Sequence, residues 1–239
     1  ATNGDDVSIF LSDGDENFSQ INIDVDRVLF SIAFGDVDQD GLIDFVTCNR
    51  SASTVSVFKN DGDDMFSLID EYAVASRPQA ANSPFDVALG DFTGNGDLDI
   101  VTVSPFQIVS LLSNNGDGTF AAAQDISGPL SGLGASRAVR LADFNNDGSI
   151  DFATANTSPR SFSIFENNGN GNFTRRDFST DIEGAQKIPF SLATGDVDGD
   201  GLVDVAVANS NANSASVYRN IGNSSFELLG ELAVGQTPN

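Results

Sequence analysis

Four nine-residue stretches carry carboxylates and glycine at the spacing with which a loop wraps a hard cation. The last of them, Asp196-Val-Asp-Gly-Asp-Gly-Leu-Val-Asp204, shows the pattern most fully. Side chains at positions one, three and five converge when the backbone curls, and glycine at position six permits the sharp bend. The carbonyl of position seven and the Asp at position nine complete a set of about six or seven hard oxygens, which suits Ca2+. Mg2+ demands tighter octahedral geometry, and zinc or copper calls for His or clustered Cys. The chain has no His and one Cys.

The expected ligands differ in quality from loop to loop. The first loop (Asp36, Asp38, Asp40, the Leu42 carbonyl, Asp44) and the fourth (Asp196, Asp198, Asp200, the Leu202 carbonyl, Asp204) each offer four carboxylates. The third (Asp143, Asn145, Asp147, the Ser149 carbonyl, Asp151) has a neutral amide oxygen in place of one and should bind more weakly. The second (Asp91, Thr93, Asn95, the Asp97 carbonyl, Asp99) has two carboxylates at side-chain positions, with Asp97 as an extra acid, and should be weakest. The bland alternative is a set of tight Asp/Gly turns without metal; four copies in register weigh against it. An EF-hand fits poorly, because its closing Glu would fall on Thr47, Thr102, Thr154 and Val207.

The loops recur at steps of 55, 52 and 53 residues. Each lies between two short apolar runs: 31–35 and 44–49, 86–90 and 99–104, 138–142 and 151–156, 191–195 and 204–209. A third run follows (55–60, 109–114, 162–167, 216–220), then an Asn/Gly turn and a Phe that opens a fourth, less regular strand. No apolar spacing of helical period persists. Four antiparallel strands per unit, in tandem, describe the blades of a β-propeller. A linear array of small β units is the competing arrangement, but no Pro- or Ser-rich linker separates the copies.

The expected fold is therefore all-β, a propeller of four-stranded antiparallel blades with about four and a half repeats. The divisions are an outer half-blade at 5–28, blades at 29–83, 84–135, 136–188 and 189–235, and the start of a further blade at 236–239. Inner strands to complete the half-blade are missing, so a longer chain, a neighbouring chain or an open ring is expected. Unpaired strand edges invite self-association.

Composition excludes several functions. A net charge of −24 disfavours nucleic acid and anionic membrane surfaces. Of 35 acids, 29 are Asp, a turn and cation-loop residue. No run of apolar residues is long enough to span a membrane as a helix. Cys48 matches Val103, Ala155 and Ala208 in the other repeats, which predicts a small buried residue rather than a reactive thiol. The start at Ala1, with no signal peptide, suggests a processed or partial chain.

The unit running from Phe85-Asp-Val-Ala-Leu-Gly-Asp-Phe-Thr-Gly-Asn-Gly-Asp-Leu-Asp-Ile-Val-Thr to Asn114-Asn-Gly-Asp-Gly-Thr-Phe120 resembles an FG-GAP or VCBS-type repeat. Such repeats build the calcium-binding propellers of integrin α-chains and of many secreted proteins. The resemblance covers about 5–235 and implies Ca2+ loops on one face, between the first and second strands of each blade. Family members commonly have seven blades, which leaves ring closure open. Their roles span adhesion, sugar binding and attachment to enzymes.

Other features are weaker. Catalysis is not expected: no His, nucleophile elbow or phosphate loop is present. Arg137 and Arg140 on one inner strand suggest either an anion pocket near the axis or local ion pairs with Asp, the latter being the commoner outcome. Glycosylation sequons stand at Asn17, Asn49, Asn156, Asn172 and Asn223; the pairs Asn17/Asn172 and Asn49/Asn156 hold matching repeat positions at strand ends, where glycans would be exposed. The expected function is a non-catalytic, extracellular, calcium-stabilised propeller in adhesion or structure. Its partner would be a protein or glycan at the cell surface, or copies of itself through the incomplete blade. A lectin is the second reading, weakened by the absence of Trp and the presence of only two Tyr. An accessory domain of a secreted enzyme is the third.

Overall fold

Val, Ile and Phe fill the pleats of the eighteen strands among the described residues, where β-branched and aromatic side chains pack best. The computed structural model describes residues 6–12, 14, 17–25, 28–74, 83–105, 108–127, 135–181 and 186–235. No helix occurs among them, so none is long and apolar enough to cross a membrane.

Strands β1 (Asp6–Ser12) and β2 (Phe18–Asp24) form a two-stranded antiparallel sheet. Four four-stranded antiparallel sheets follow. The first contains β3 (Leu29–Gly35), β4 (Asp44–Asn49), β5 (Thr54–Gly62) and β6 (Met65–Ala73). The second contains β7 (Asp86–Gly90), β8 (Asp99–Val103), β9 (Val109–Leu112) and β10 (Gln124–Asp125). The third contains β11 (Ser136–Ala142), β12 (Asp151–Asn156), β13 (Ser161–Asn167) and β14 (Phe173–Ser179). The fourth contains β15 (Pro189–Gly195), β16 (Asp204–Asn209), β17 (Ser214–Asn220) and β18 (Phe226–Ala233). Each sheet meanders in sequence order, and the inner strands β3, β7, β11 and β15 neighbour one another in that order. This is the blade pattern expected from the repeats. The proposed start of a further blade at 236–239 lies outside the described residues.

Apolar seams hold the blades together. Val46 and Val57 pack with Val87, Ile100 and Leu112 of the next blade. Val101 and Leu111 meet Val139, Phe152 and Phe165, while Phe162 and Ile164 meet Leu192, Val205 and Val207. Val7 of the half-blade packs with Phe45 and Phe58. Strands β4, β8 and β12 are consequently buried on both faces, which explains their unbroken apolar runs. The second blade departs from the others in its outer strand. Phe120 makes only an isolated bridge with Asn114, and Ala121, Ala122 and Ala123 follow outside any strand, having too little side chain to favour a pleat.

Cys48 is fully buried, and burial pushes its thiol pKa well above the ordinary value, as a structural cysteine requires. Two sequons are corrected. Asn49 and Asn156 are fully buried rather than exposed at strand ends. The Asn49 amide donates to Ser56 Oγ at 2.7 Å and Thr54 Oγ1 at 3.0 Å; that of Asn156 donates to Ser163 Oγ at 2.7 Å. Asn209 repeats the arrangement without a sequon. These asparagines tie strand two to strand three, and a glycan has no room there. Asn17, Asn172 and Asn223 are exposed.

Candidate metal loops and the blade seam

Each acidic loop starts where an inner strand ends, and its carboxylates first organise the backbone. In the fourth loop Asp196 accepts from the amides of Gly199 (2.7 Å) and Gly201 (2.9 Å), and Asp200 accepts from Leu202 N (2.8 Å). These amides hold the Asp196 carboxyl below the usual carboxylate range. In the first loop Asp36 accepts from Asp40 N and Gly41 N, and in the second Asp91 accepts from Gly94 N and Gly96 N. In the third Asp143 accepts from Gly148 N, and Asp147 accepts from Ser149 N, which lowers the Asp147 pKa. A carboxylate oxygen that accepts one amide keeps a lone pair for a cation.

The donor sets fit a hard divalent ion best in two loops. Oxygens of Asp36, Asp38 and Asp40 lie within 4.8 Å of one another, as do those of Asp196, Asp198 and Asp204. Among the described residues these are the loops that gather three acids, and they are the two with four carboxylates in sequence. Both also attract a basic side chain from the third strand. Lys59 bonds Asp38 and Asp40, lowering the Asp40 pKa, and Arg219 Nη1 lies 3.6 Å from Asp198. A cation is thus drawn to the place where the oxygens converge. In the second loop Asp97 Oδ1 accepts instead from Gln39 of the first loop at 2.6 Å, and no three acids gather there. In the third, Asn145 Nδ2 donates to Asp147 at 2.9 Å, an internal amide bond standing where two carboxylates would repel. Leu42 and Leu202 sit at the exposed turn.

The ninth-position acids have a further role that spacing alone did not reveal. Asp44, Asp99, Asp151 and Asp204 are at most 1% exposed. Asp151 Oδ2 accepts from Phe144 N at 2.9 Å and its Oδ1 from Asn167 N at 2.7 Å. The same two bonds recur from Val37 and Asn60 to Asp44, from Phe92 and Asn114 to Asp99, and from Val197 and Asn220 to Asp204. Each acid therefore joins its loop to the third strand of the blade. Burial raises the pKa of Asp44 and Asp99, and brings Asp151 to about 6.

The asparagine at or just past the end of the third strand reads in sequence only as a turn residue. Asn114 Nδ2 donates to Leu98 O of its own loop (3.0 Å) and to Val37 O of the preceding loop (2.8 Å). Asn167 bonds Ile150 and Phe92, and Asn220 bonds Val203 and Phe144, in the same way. The glycine four residues later packs on the preceding blade as well. A Cβ on Gly118 would lie 3.0 Å from Asp38 Cβ of the preceding loop, and one on Gly171 would lie 2.9 Å from Leu111 Cδ2 of β9 and 3.7 Å from Thr93 Cγ2 of the preceding loop. Position two of each loop is the socket for this contact. Val37, Phe92 and Phe144 are at most 1% exposed, whereas Val197, which no later blade covers among the described residues, is 55% exposed. The recurrence of Asn60, Asn114, Asn167 and Asn220 was the available signal. Its reach into the neighbouring blade needed the fold.

The fold and loops define a β-propeller whose blades are latched through acidic loops. The chain belongs to the FG-GAP-like repeat family, whose model matches residues 36–102, 102–154, 143–207 and 196–239. Its fold is similar to that of an Agrocybe aegerita lectin whose structure describes specific recognition of non-reducing terminal N-acetylglucosamine. The two are 23% identical with a TM-score of 0.58, over 94% of this chain and 60% of the lectin. A Lactobacillus plantarum protein gives a TM-score of 0.69 at 14% identity, over 98% of this chain and 66% of that one. The chain thus spans less than two thirds of the length of either structure. No curated protein sequence matches it significantly.

Proposed function

We propose that this chain is a non-catalytic, extracellular propeller segment in which Ca2+ braces the scaffold, serving adhesion or surface structure. The blade seam carries the reading. In the first loop the acids gather beside the socket that the next blade fills, so a bound cation would rigidify that junction rather than meet a substrate. Asp36, Asp38, Asp40 and Asp44, and Asp196, Asp198, Asp200 and Asp204, would hold the stronger ions; Asp143, Asn145, Asp147 and Asp151 a weaker one. Asp91, Asn95 and Asp99 would hold the weakest. Bound Ca2+ supplies positive charge against a net −24. Exposed loops of this kind suit the roughly 10−4–10−3 M affinities of extracellular modules.

The uncovered Val197 socket at one end, and the β1 edge beside Phe30, Ile32 and Phe34 at the other, are the faces that further blades or a second copy would cover. Calorimetry with Ca2+, and melting with and without EGTA, test the metal. Heat of binding and a raised midpoint are expected; neither appearing would sink the reading. Sedimentation of the wild type and V197E tests the socket, with association weakened in the variant. A strict monomer in both would exclude self-assembly.

A lectin is the second reading, supported by the similarity to the Agrocybe aegerita protein. Ca2+-dependent binding on a glycan array would favour it over a purely structural role.

A further inference from the structure

Three of the complete blades open their inner strand with a β-bulge, between Leu29 and Ile32, Ser136 and Ala138, and Pro189 and Ser191. A bulge takes a residue out of the ladder and re-aims its side chain. Phe30, Arg137 and Phe190 lie in these bulges, and with Phe85 they line a cavity of about 240 Å3 where the inner strands of all four blades meet. The Arg137 guanidinium lies over Phe85 (4.2 Å) and Phe190 (5.4 Å), and that of Arg50 over Phe30 (4.7 Å) and Phe85 (5.5 Å). Two cations therefore share one ring.

Among the described residues no carboxylate pairs with either arginine, and Arg137 Nε is buried without a hydrogen-bond partner. Burial, followed by repulsion from Arg50, lowers the Arg137 pKa. Arg140 behaves differently. It pairs with Asp86 at 2.9 Å, and Asp86 also accepts from Ser31 Oγ (2.5 Å) and Val139 N (3.0 Å). Of the two sequence-level alternatives, the local ion pair thus holds for Arg140. Arg137 is the uncompensated charge.

We propose that this axial cavity binds the carboxylate of a small organic acid, with Arg137 and Arg50 as its anchors and the Phe rings receiving its apolar body. A planar guanidinium pairs with a carboxylate through two parallel hydrogen bonds, and the anion relieves the repulsion between the two arginines. The molecule's strong negative charge does not forbid this. Asp86, the carboxylate in the cavity's lining, is already paired with Arg140, and β11 advances six residues from Arg137 to the loop at Asp143. That places the acidic loop about 20 Å away, beyond the ~8 Å screening length of physiological salt. Sulfate or phosphate would meet the charge but leave the aromatic walls unfilled.

Benzoate is the probe, titrated into the full chain in Ca2+ buffer at constant ionic strength and followed by saturation-transfer NMR and calorimetry. Saturable binding is expected, with at least a tenfold loss in Arg137→Gln, a smaller loss in Arg50→Gln and none in Arg160→Gln. Benzamide, the neutral isostere, should not compete. Urea midpoints confirm that each variant folds, and Arg50, being exposed, gives a variant that keeps the test informative if Arg137→Gln unfolds. Absence of saturable binding to the wild type, undiminished binding in Arg50→Gln and a folded Arg137→Gln, or equal competition by benzamide would each overturn the proposal.

Discussion

Truncating the latch asparagines should cost different amounts according to whether a preceding blade is there to be latched. Asn167 is buried and its side chain makes three hydrogen bonds: Nδ2 to Phe92 O at 3.1 Å and Ile150 O at 3.2 Å, and Oδ1 from Gly169 N at 2.9 Å. Its backbone bond to Asp151 survives truncation. At about 1 kcal/mol per net hydrogen bond, Asn167→Ala should cost roughly 3 kcal/mol. Asn60 sits at the same position but faces the two-stranded half-blade, and among the described residues no nine-residue acidic loop precedes its own. Its side chain bonds Ile43 O (3.2 Å) and Gly62 N (3.0 Å), and it is only half-buried, so water replaces part of the loss. Asn60→Ala should therefore cost about 1 kcal/mol. The difference, about 2 kcal/mol, is a factor of roughly 30 in the folding equilibrium. Urea denaturation in saturating Ca2+ measures it, with circular dichroism and tyrosine fluorescence from Tyr72 and Tyr218 checking that the transition is two-state. Asn114→Ala and Asn220→Ala should follow Asn167→Ala. Equal losses at all four positions would refute the inter-blade role and leave only a turn residue.

Three further outcomes are expected. The fold favours neutral Asp151, whose pKa is raised to about 6, so its contribution is fully present below the unfolded value near 3.8 and lost as pH rises through 6. In metal-free protein this amounts to roughly 3 kcal/mol, and the pH-dependent part of the urea midpoint should shrink in D151N. Ca2+ favours the ionised loop, so a melt across pH 4–7 should flatten when the ion is added. Gly171→Ala should destabilise by about 2 kcal/mol or more, because its φ is +70° and a Cβ would meet Leu111 Cδ2 at 2.9 Å. Gly222→Ala shares the positive φ of +92° but meets nothing, so its denaturation midpoint should fall by about half as much.

Repetition made the fold legible in the sequence. Four loops in register, each between apolar runs and followed by Asn, Gly and Phe, determine strand number, strand order and blade architecture, because each is a local consequence of turn chemistry and side-chain alternation. The same spacing marked the acids of the first and fourth loops that gather in threes, and the substitutions Asn145 and Thr93 marked the loops in which no three acids gather. Burial was not legible. Asn49 and Asn17 both stand in sequons, yet one is enclosed between strands and the other is exposed, since only the packed sheet decides which end of a strand meets its neighbour. Val37 and Val197 occupy the same place in the repeat and look alike in sequence; the next blade buries Val37, while among the described residues no later blade covers Val197. The acids at position nine, the reach of Asn114, Asn167 and Asn220 into the preceding loop, and the meeting of Arg50 with Arg137 over Phe85 all join residues that are remote along the chain. Sequence spacing sets what a single blade can do. Contact between blades, which depends on how the sheets stack about the axis, decides what those residues touch.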